Sequence, residues 1–282
     1  MKKILVPTDF SKYADKALNY AVCIAKKAKA EVILLHACDD LKNPITDGRK
    51  KNMDDKNEEL IIDLTHKLKQ YETSIEQTEG VPVTIKLFEG KTVASIITAS
   101  EEYKVDLIVM GTLGTTGLKT MIYGTKTAHV ISKTSIPVIA IPFDYEWSEP
   151  KEFLLAISDA NEDVEIFKPV LELGQLFDSN IKTVIFSNEE AEGIEFMEHS
   201  RTISKIQNKL KTTFPETHIE FVHLAGKDFD QTLHDFIKEQ NTDLLIMVTH
   251  KRSVVQNLFS SSKTKKMSYH SLVPLLSLHS MN

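Results

Sequence analysis

The chain contains itself twice. Asp106-Leu107-Ile108-Val109-Met110 returns as Asp243-Leu244-Leu245-Ile246-Met247, and Ser135-Ile136-Pro137-Val138-Ile139 returns as Leu272-Val273-Pro274-Leu275-Leu276. Both pairs are offset by 137 residues, and Lys126-Thr127 and Lys263-Thr264 keep the same spacing. Near the start, Ile4-Leu5-Val6-Pro7-Thr8-Asp9 has its counterpart in Leu154-Leu155-Ala156-Ile157-Ser158-Asp159. A fixed-period repeat constrains a fold more than any local pattern, because each copy must be a structural unit. With 282 residues in all, the length suits about two ordinary domains. The expected units are residues 1–146 and 147–282. They meet in the polar stretch Phe143 to Lys151, which holds Pro150 and the chain's one tryptophan, Trp147.

Within each copy, short apolar runs alternate with longer amphipathic ones. In the first copy Lys3–Thr8 reads as a strand, and Ser11 caps a helix to about Lys29, with Ala14, Ala17, Leu18, Ala21, Val22 and Ala25 at helical spacing. Val32–Ala37 is a second strand, Met53–Ile75 a long charged helix, Val83–Phe88 a third strand and Val93–Ser100 a short helix. Val105–Met110 is a continuous apolar strand, Lys126–Ser132 a helix and Val138–Ile141 the final strand. Alternating strands and helices predict a parallel sheet covered on both faces. Continuous rather than alternating runs fit strands buried on both sides. Ligands in such α/β sheets sit outside the carboxyl ends of the strands, near a topological switch. Asp9 and Gly111 both fall at that edge.

Composition excludes several classes. Hydrophobic residues make up 41% and charged residues 26%, the balance of a folded globular chain. No apolar run approaches the ~18–20 residues of a membrane span. The opening Met1-Lys2-Lys3-Ile4-Leu5-Val6 meets Pro7 and Asp9 after three apolar residues, so it reads as a strand and not as a signal segment. Cys23 and Cys38 cannot form a disulfide framework and read as buried free thiols, which points to a cytoplasmic location. The net charge of −6 lies wholly in the second half: residues 1–146 hold 20 Lys/Arg and 20 Asp/Glu, and the rest hold 14 and 20. An acidic half is a poor partner for nucleic acid. A polyanionic small ligand is better placed in the neutral half.

Four of the ten glycines fall between Gly111 and Gly124. The segment Gly111-Thr-Leu-Gly114-Thr-Thr-Gly117-Leu-Lys-Thr-Met-Ile-Tyr-Gly124-Thr125 links a buried strand to a helix start. It contains no Gly-Lys-Ser/Thr and no GxGxxG, so neither the Walker A loop nor the dinucleotide fingerprint describes it. Gly111 and Gly114 permit positive φ and close backbone approach. Gly124-Thr125-Lys126-Thr127 presents amides and hydroxyls at a helix N-terminus, where the dipole favours phosphate.

The spacing Gly-x2-Gly-x9-Gly-Ser/Thr is similar to the nucleotide-binding motif of the universal stress protein family, and Gly111, Gly114 and Gly124-Thr125 match it without a gap. Ile4-Leu5-Val6-Pro7-Thr8-Asp9-Phe10-Ser11 looks like the family's first strand and turn. Leu34-Leu35-His36-Ala37 looks like its second strand, and Ser135-Ile136-Pro137-Val138 like its last. The chain resembles a tandem member. The resemblance implies two α/β, doubly wound domains, each a five-stranded parallel sheet of order 3-2-1-4-5 flanked by helices. It also implies ATP as ligand, with AMP or ADP as alternatives and Mg2+ as a bridge between phosphates for which no protein ligand is indicated. Carried over by position, Pro7, Thr8 and Asp9 would line the nucleoside, with Asp9 against the ribose hydroxyls. Ala37 would meet adenine through its backbone. Met110 and Gly111 would approach the nucleoside and α-phosphate. Gly114, Gly124, Thr125, Lys126 and Thr127 would hold the phosphates.

The second copy departs from this pattern. At the 137-residue offset Gly111 becomes Val248, Gly114 becomes Lys251 and Gly124-Thr125 becomes Ser261-Ser262, and Pro7 is matched to Ile157. A β-branched Val248 resists positive φ, so this half is expected to be degenerate. Asp159, Ser262, Lys263 and Thr264, with Lys251-Arg252 and Lys265-Lys266, are left there either as a solvated loop that has lost its ligand or as a weak site for a different anion. No HExxH and no Cys-x-x-Cys occurs, so zinc is not expected. His36 reads as a core-edge group. The expected function is an ATP-binding regulator of stress responses, with a slow ATPase or an interaction module carrying structural nucleotide as alternatives. No catalytic residue is assigned, since neither a positioned base nor an arginine finger stands near the loop. The apolar runs Val138–Ile141 and Leu275–Leu278 are expected to pair as edge strands within the chain, giving an intramolecular pseudo-dimer. A homodimer of whole chains or an unidentified protein partner would need a further surface.

Overall fold

Nearly every side chain in the short apolar runs is inaccessible to solvent, which explains why they carry no alternation. In the computed structural model of the chain, residues 1–38, 50–112, 125–157, 164–188, 193–214, 219–249 and 273–279 are described. The first half supplies β1 (Lys3–Pro7), β2 (Glu31–Cys38), β3 (Val83–Glu89), β4 (Leu107–Gly111) and β5 (Val138–Ile141), parallel and in the order 3-2-1-4-5. β6 (Glu152–Ile157), β7 (Asn180–Asn188), β8 (Ile219–Gly226), β9 (Leu244–Thr249) and β10 (Leu275–His279) repeat that order. The halves join through β5 and β10, which run antiparallel with Ala140 opposite Leu275, Ile139 opposite Leu276 and Val138 opposite Ser277. One ten-stranded sheet results, and the expected pairing of final strands is present within the chain.

Among the described residues the helices are α1 (Lys12–Ala28), α2 (Lys50–Glu79), α3 (Thr92–Glu102), α4 (Thr125–Lys133), α5 (Lys168–Phe177), α6 (Gly193–Thr213) and α7 (Phe229–Glu239), with a 3-10 turn at Val164–Phe167. Ser11 caps α1 as expected, its Oγ accepting from the Ala14 amide at 3.3 Å. α2 is longer than its apolar spacing suggests and ends before Gly80, whose φ of 67° breaks the helix. One core layer packs Ala17, Ala21 and Ile24 of α1 and Leu68 of α2 on Ile4 and Val6. It runs through Ile139 and Leu276 into Leu155, Phe177 and Ile206 without a break between halves. The opposite face has separate layers, one around Ile96 and Ile131, the other around Leu233 and Ile237.

The repeat extends to single hydrogen bonds. Asp106 Oδ2 accepts from the amides of Lys2 and Lys3 at 2.5 and 2.9 Å, and Asp243 Oδ2 accepts from those of Lys151 and Glu152 at 2.7 and 3.0 Å. These bonds, and the ladders, correct the match drawn between the two strand beginnings. Ile4 lies opposite Leu107, whereas Phe153 lies opposite Leu244, the residue equivalent to Leu107. Lys3 faces Glu31 and Glu152 faces Asn180. Ile4 therefore corresponds to Phe153, not Leu154. Pro7 corresponds to Ala156, and Thr8 to Ile157. A uniformly apolar strand offers no internal landmark, so the sequence match slipped by one residue onto the Asp9–Asp159 likeness.

The connection between halves is pinned to both. The Trp147 ring lies 4.7 Å from that of Tyr20 on α1, edge on, and 6.0 Å from that of Phe177 on α5. Glu149 joins Lys27 at 3.1 Å and Lys151 at 2.9 Å, and these two ammonium groups hold its carboxyl below the usual range. Among the described residues no helix is long and apolar enough to cross a membrane.

Candidate functional site

Between β1 and β4 the crossovers of the first sheet change direction, and α/β sheets place their ligands at the carboxyl ends of the strands at such a switch point. The chain leaves β1 through Thr8, Asp9, Phe10 and Ser11. The Thr8 amide donates to Leu35 O at 2.8 Å, tying the turn to β2. Thr8 Oγ1 accepts from the Phe10 amide at 3.0 Å and Asp9 Oδ1 from the Ser11 amide at 3.1 Å. Each polar side chain thus satisfies an amide two residues on, and the turn leads directly into the capped start of α1. Phe10 adopts φ 61°, a conformation that costs a non-glycine residue about 1–2 kcal/mol. Its ring lies 4.7 Å from His36 and 6.1 Å from Tyr71.

His36 Nδ1 stands 2.8 Å from Thr8 O. The Tyr71 hydroxyl donates to Asp15 Oδ1 at 2.7 Å, and burial followed by that hydrogen bond pushes its pKa to about 12. Sequence reading missed Phe10 and Tyr71 as supports of this edge and took His36 for passive packing. The only available signal was aromatic residues clustering near the strand ends.

Met110 is buried at the end of β4, and Gly111 is that strand's last residue. Of the two freedoms a glycine offers here, Gly111 does not use positive φ; among described glycines only Gly80 and Gly90 do. What it needs is space. A Cβ on Gly111 would stand 2.6 Å from Tyr13 O and 3.0 Å from Tyr13 C, so the first turn of α1 lies directly against it. Gly111 O accepts from Thr127 Oγ1 at 2.8 Å, which brings the N-terminal turn of α4 onto the end of β4.

Thr127 is buried and its hydroxyl is committed inward, leaving its main chain for any anion. Thr125 and Lys126 are exposed, and Lys126 Nζ donates to Thr92 Oγ1 at 3.1 Å. Pro7 and Ala37 complete the edge, Pro7 opposite Leu35 and Ala37 opposite Phe88. Gly114 and Gly124 lie outside the described residues. Pro7, Thr8, Asp9, Ala37, Met110, Gly111 and the start of α4 are thus gathered at one end of the sheet.

At the corresponding edge of the second half, Val248 lies within β9 and its side chain is buried in the shared core. Ile157, which replaces Thr8, is buried as well. In the strand register the positions equivalent to Lys12 and Tyr13 are 161 and 162, which lie outside the described residues. Asp159, Lys251, Arg252, Ser261, Ser262, Lys263, Thr264, Lys265 and Lys266 lie outside the described residues. Among those described, no three His, Cys, Asp or Glu side chains are grouped to hold a metal. Cys23 is half-buried and Cys38 buried, both as free thiols, and burial pushes the Cys23 thiol up.

Comparison with known proteins matches residues 1–142 to the model of the universal stress protein family. A universal stress protein of Methanocaldococcus jannaschii is 33% identical over 152 residues, spanning 50% of this chain and 94% of that one. A second from the same organism is 30% identical over 140 residues, spanning 50% of this chain and 81% of its own length. The crystal structure of a universal stress protein from Archaeoglobus fulgidus shares the fold across both halves, with a TM-score of 0.68, 18% identity and 98% of each chain covered. The structural likeness shows a shared fold across both halves, and the family model that spans the glycine-bearing half shows that the chain belongs to the universal stress protein family.

Proposed function

We propose that the first half binds ATP at the carboxyl edge of β1, β2 and β4, and that the protein acts as a nucleotide-dependent regulator in stress physiology. The observation that carries this reading is the bond from Thr127 Oγ1 to Gly111 O, which sets the N-terminal turn of α4 beside the β1 turn. The residues present fit such a ligand. Asp9 brings a carboxylate suited to ribose hydroxyls, Ala37 a main chain suited to a base edge, and the first-turn amides of α4 have no partners within the helix and favour phosphate. In this reading Gly111, Gly114 and Gly124 bring no side chain to the phosphates, and the exposed Thr125 and Lys126 offer them polar groups. Mg2+ is assigned to phosphate oxygens and not to protein side chains.

The second half, residues 147–282, is read as a degenerate partner domain without nucleotide. Ile157 and Val248, both buried, stand where the first half has the hydroxyl of Thr8 and the bare backbone of Gly111. Calorimetric titration with ATP tests the reading: one site per chain is expected, and two equivalent sites or none would refute it. Mass spectrometry of molecules released on denaturation identifies the nucleotide carried from the cell. Following its turnover then separates a binder from a slow ATPase.

A further inference from the structure

His36, on β2, reaches across to the residue that follows β1, and we infer that it is a positioning residue for the ligand edge: its ring clamps the Thr8 carbonyl and so fixes the Thr8–Asp9 peptide. The inference rests on the nucleotide reading above. A carbonyl oxygen only accepts hydrogen bonds, so the 2.8 Å contact between His36 Nδ1 and Thr8 O requires the proton on Nδ1. The neutral ring is then the Nδ1–H tautomer, with Nε2 left as an acceptor. The ladder between β1 and β2 runs from Lys3 opposite Glu31 to Pro7 opposite Leu35. Just past that point Thr8 O is met by a side chain of β2. The ring extends the sheet's grip by one residue, to the place where Asp9 must be held.

Phe10 is the second part of the clamp. Its left-handed backbone, φ 61°, is what turns the chain after Asp9. Two contacts hold it there: its amide donates to Thr8 Oγ1 at 3.0 Å and its ring packs on His36 at 4.7 Å, tilted by 30°. A strained non-glycine residue at a ligand edge persists only where its surroundings over-determine it, and here the determinants converge on Thr8 and His36. His36 directly precedes Ala37, and Thr8 directly precedes Asp9, so one imidazole couples the position expected to meet the base to the position expected to meet the ribose. It touches neither.

Two measurements test the clamp. On wild-type protein labelled with 15N, two-bond correlation of the His36 ring reads the tautomer: a pyrrole-type Nδ1 and a pyridine-type Nε2 are expected in the neutral ring, and the reverse assignment overturns the inference. This readout needs no variant and stands even if a substitution harms folding. In the second, ATP is titrated into wild type, His36→Leu and His36→Asn, with melting recorded for each. His36→Leu keeps bulk and loses the donor, and should weaken binding about tenfold, or about 1.4 kcal/mol. His36→Asn, whose amide restores a donor near Nδ1, should stay within about threefold of wild type. Wild-type affinity in His36→Leu, or equal losses in both variants, would show that the ring serves packing alone. A wild-type chain that takes up no ATP sinks the nucleotide reading and this role together, whereas wild-type binding with an undisturbed leucine variant sinks only the role of His36.

Discussion

Gly111→Ala separates two reasons for a glycine at the end of β4. If Gly111 served only to admit a ligand, an added methyl would leave the nucleotide-free fold untouched. The structure predicts otherwise. The new Cβ would meet Tyr13 O at 2.6 Å, against ordinary contact that begins near 3.4 Å. About 0.8 Å must therefore be found between β4 and the first turn of α1, on the scale of the overpacking that costs ~1–3 kcal/mol in a packed interior. The obstacle is a backbone carbonyl, so no side-chain rotation relieves it. Alanine returns about 0.4–1 kcal/mol by restricting the unfolded chain. The net loss is about 1–2 kcal/mol, which in a domain of this size lowers the melting temperature by roughly 3–8 °C. Calorimetric or circular-dichroism melting without nucleotide measures it directly. An unchanged melting temperature in the nucleotide-free variant, with ATP binding lost, would refute the packing argument and return Gly111 to a ligand role alone.

Gly124→Val should abolish ATP binding without unfolding the chain. ATP at about 100 times its dissociation constant should stabilise the wild type by ~2.7 kcal/mol, and the variant should show no such shift in melting. Ile139→Asp sets a carboxylate in the fully buried strand opposite Leu276 and should cost several kcal/mol; a melting temperature within a degree of wild type would contradict the β5–β10 seam. Tyr71→Phe should alter stability in the alkaline range. Tyr71 keeps its proton in the folded state up to about 12, whereas the unfolded residue loses it near 10.0. Its contribution is therefore fully present below pH 10 and is lost as pH rises toward 12. Denaturation of both proteins across that range should show the wild type falling more steeply, and parallel curves would refute the shift.

The repeat and the alternation of strands and helices were legible in the sequence, because both are written in apolar runs at fixed spacing. The strand order came only with the family resemblance that the glycine motif carries, and the pairing of final strands from that resemblance together with their apolar edges. Contacts that depend on the third dimension were not legible. Gly111 stood out as a glycine, yet the carbonyl of Tyr13 that demands it lies on another element. Thr127 looked like a phosphate hydroxyl, and in the fold that hydroxyl bonds Gly111 O. The one-residue slip between Ile4 and Phe153 arose because Val, Leu and Ile are interchangeable inside a buried strand. Asp106 and Asp243, polar groups that grip the strand beginnings, hold the true register. His36 and Phe10 were in plain view as residues, but their joint grip on Thr8 needs the parallel alignment of β1 with β2.

The β5–β10 seam also changes what substitutions can do. In a homodimer joined along such a seam, every substitution lands twice, once in each subunit, and the assembly itself comes and goes with the amount of protein present. Here both strands ride on one chain, so the seam forms at an effective concentration set by the connecting segment, and dilution does not open it. A change on one side is borne once. Ile157 and Val248 sit in a copy that can drift while its neighbour stays intact, because the partner surface each half needs is supplied by a different stretch of sequence.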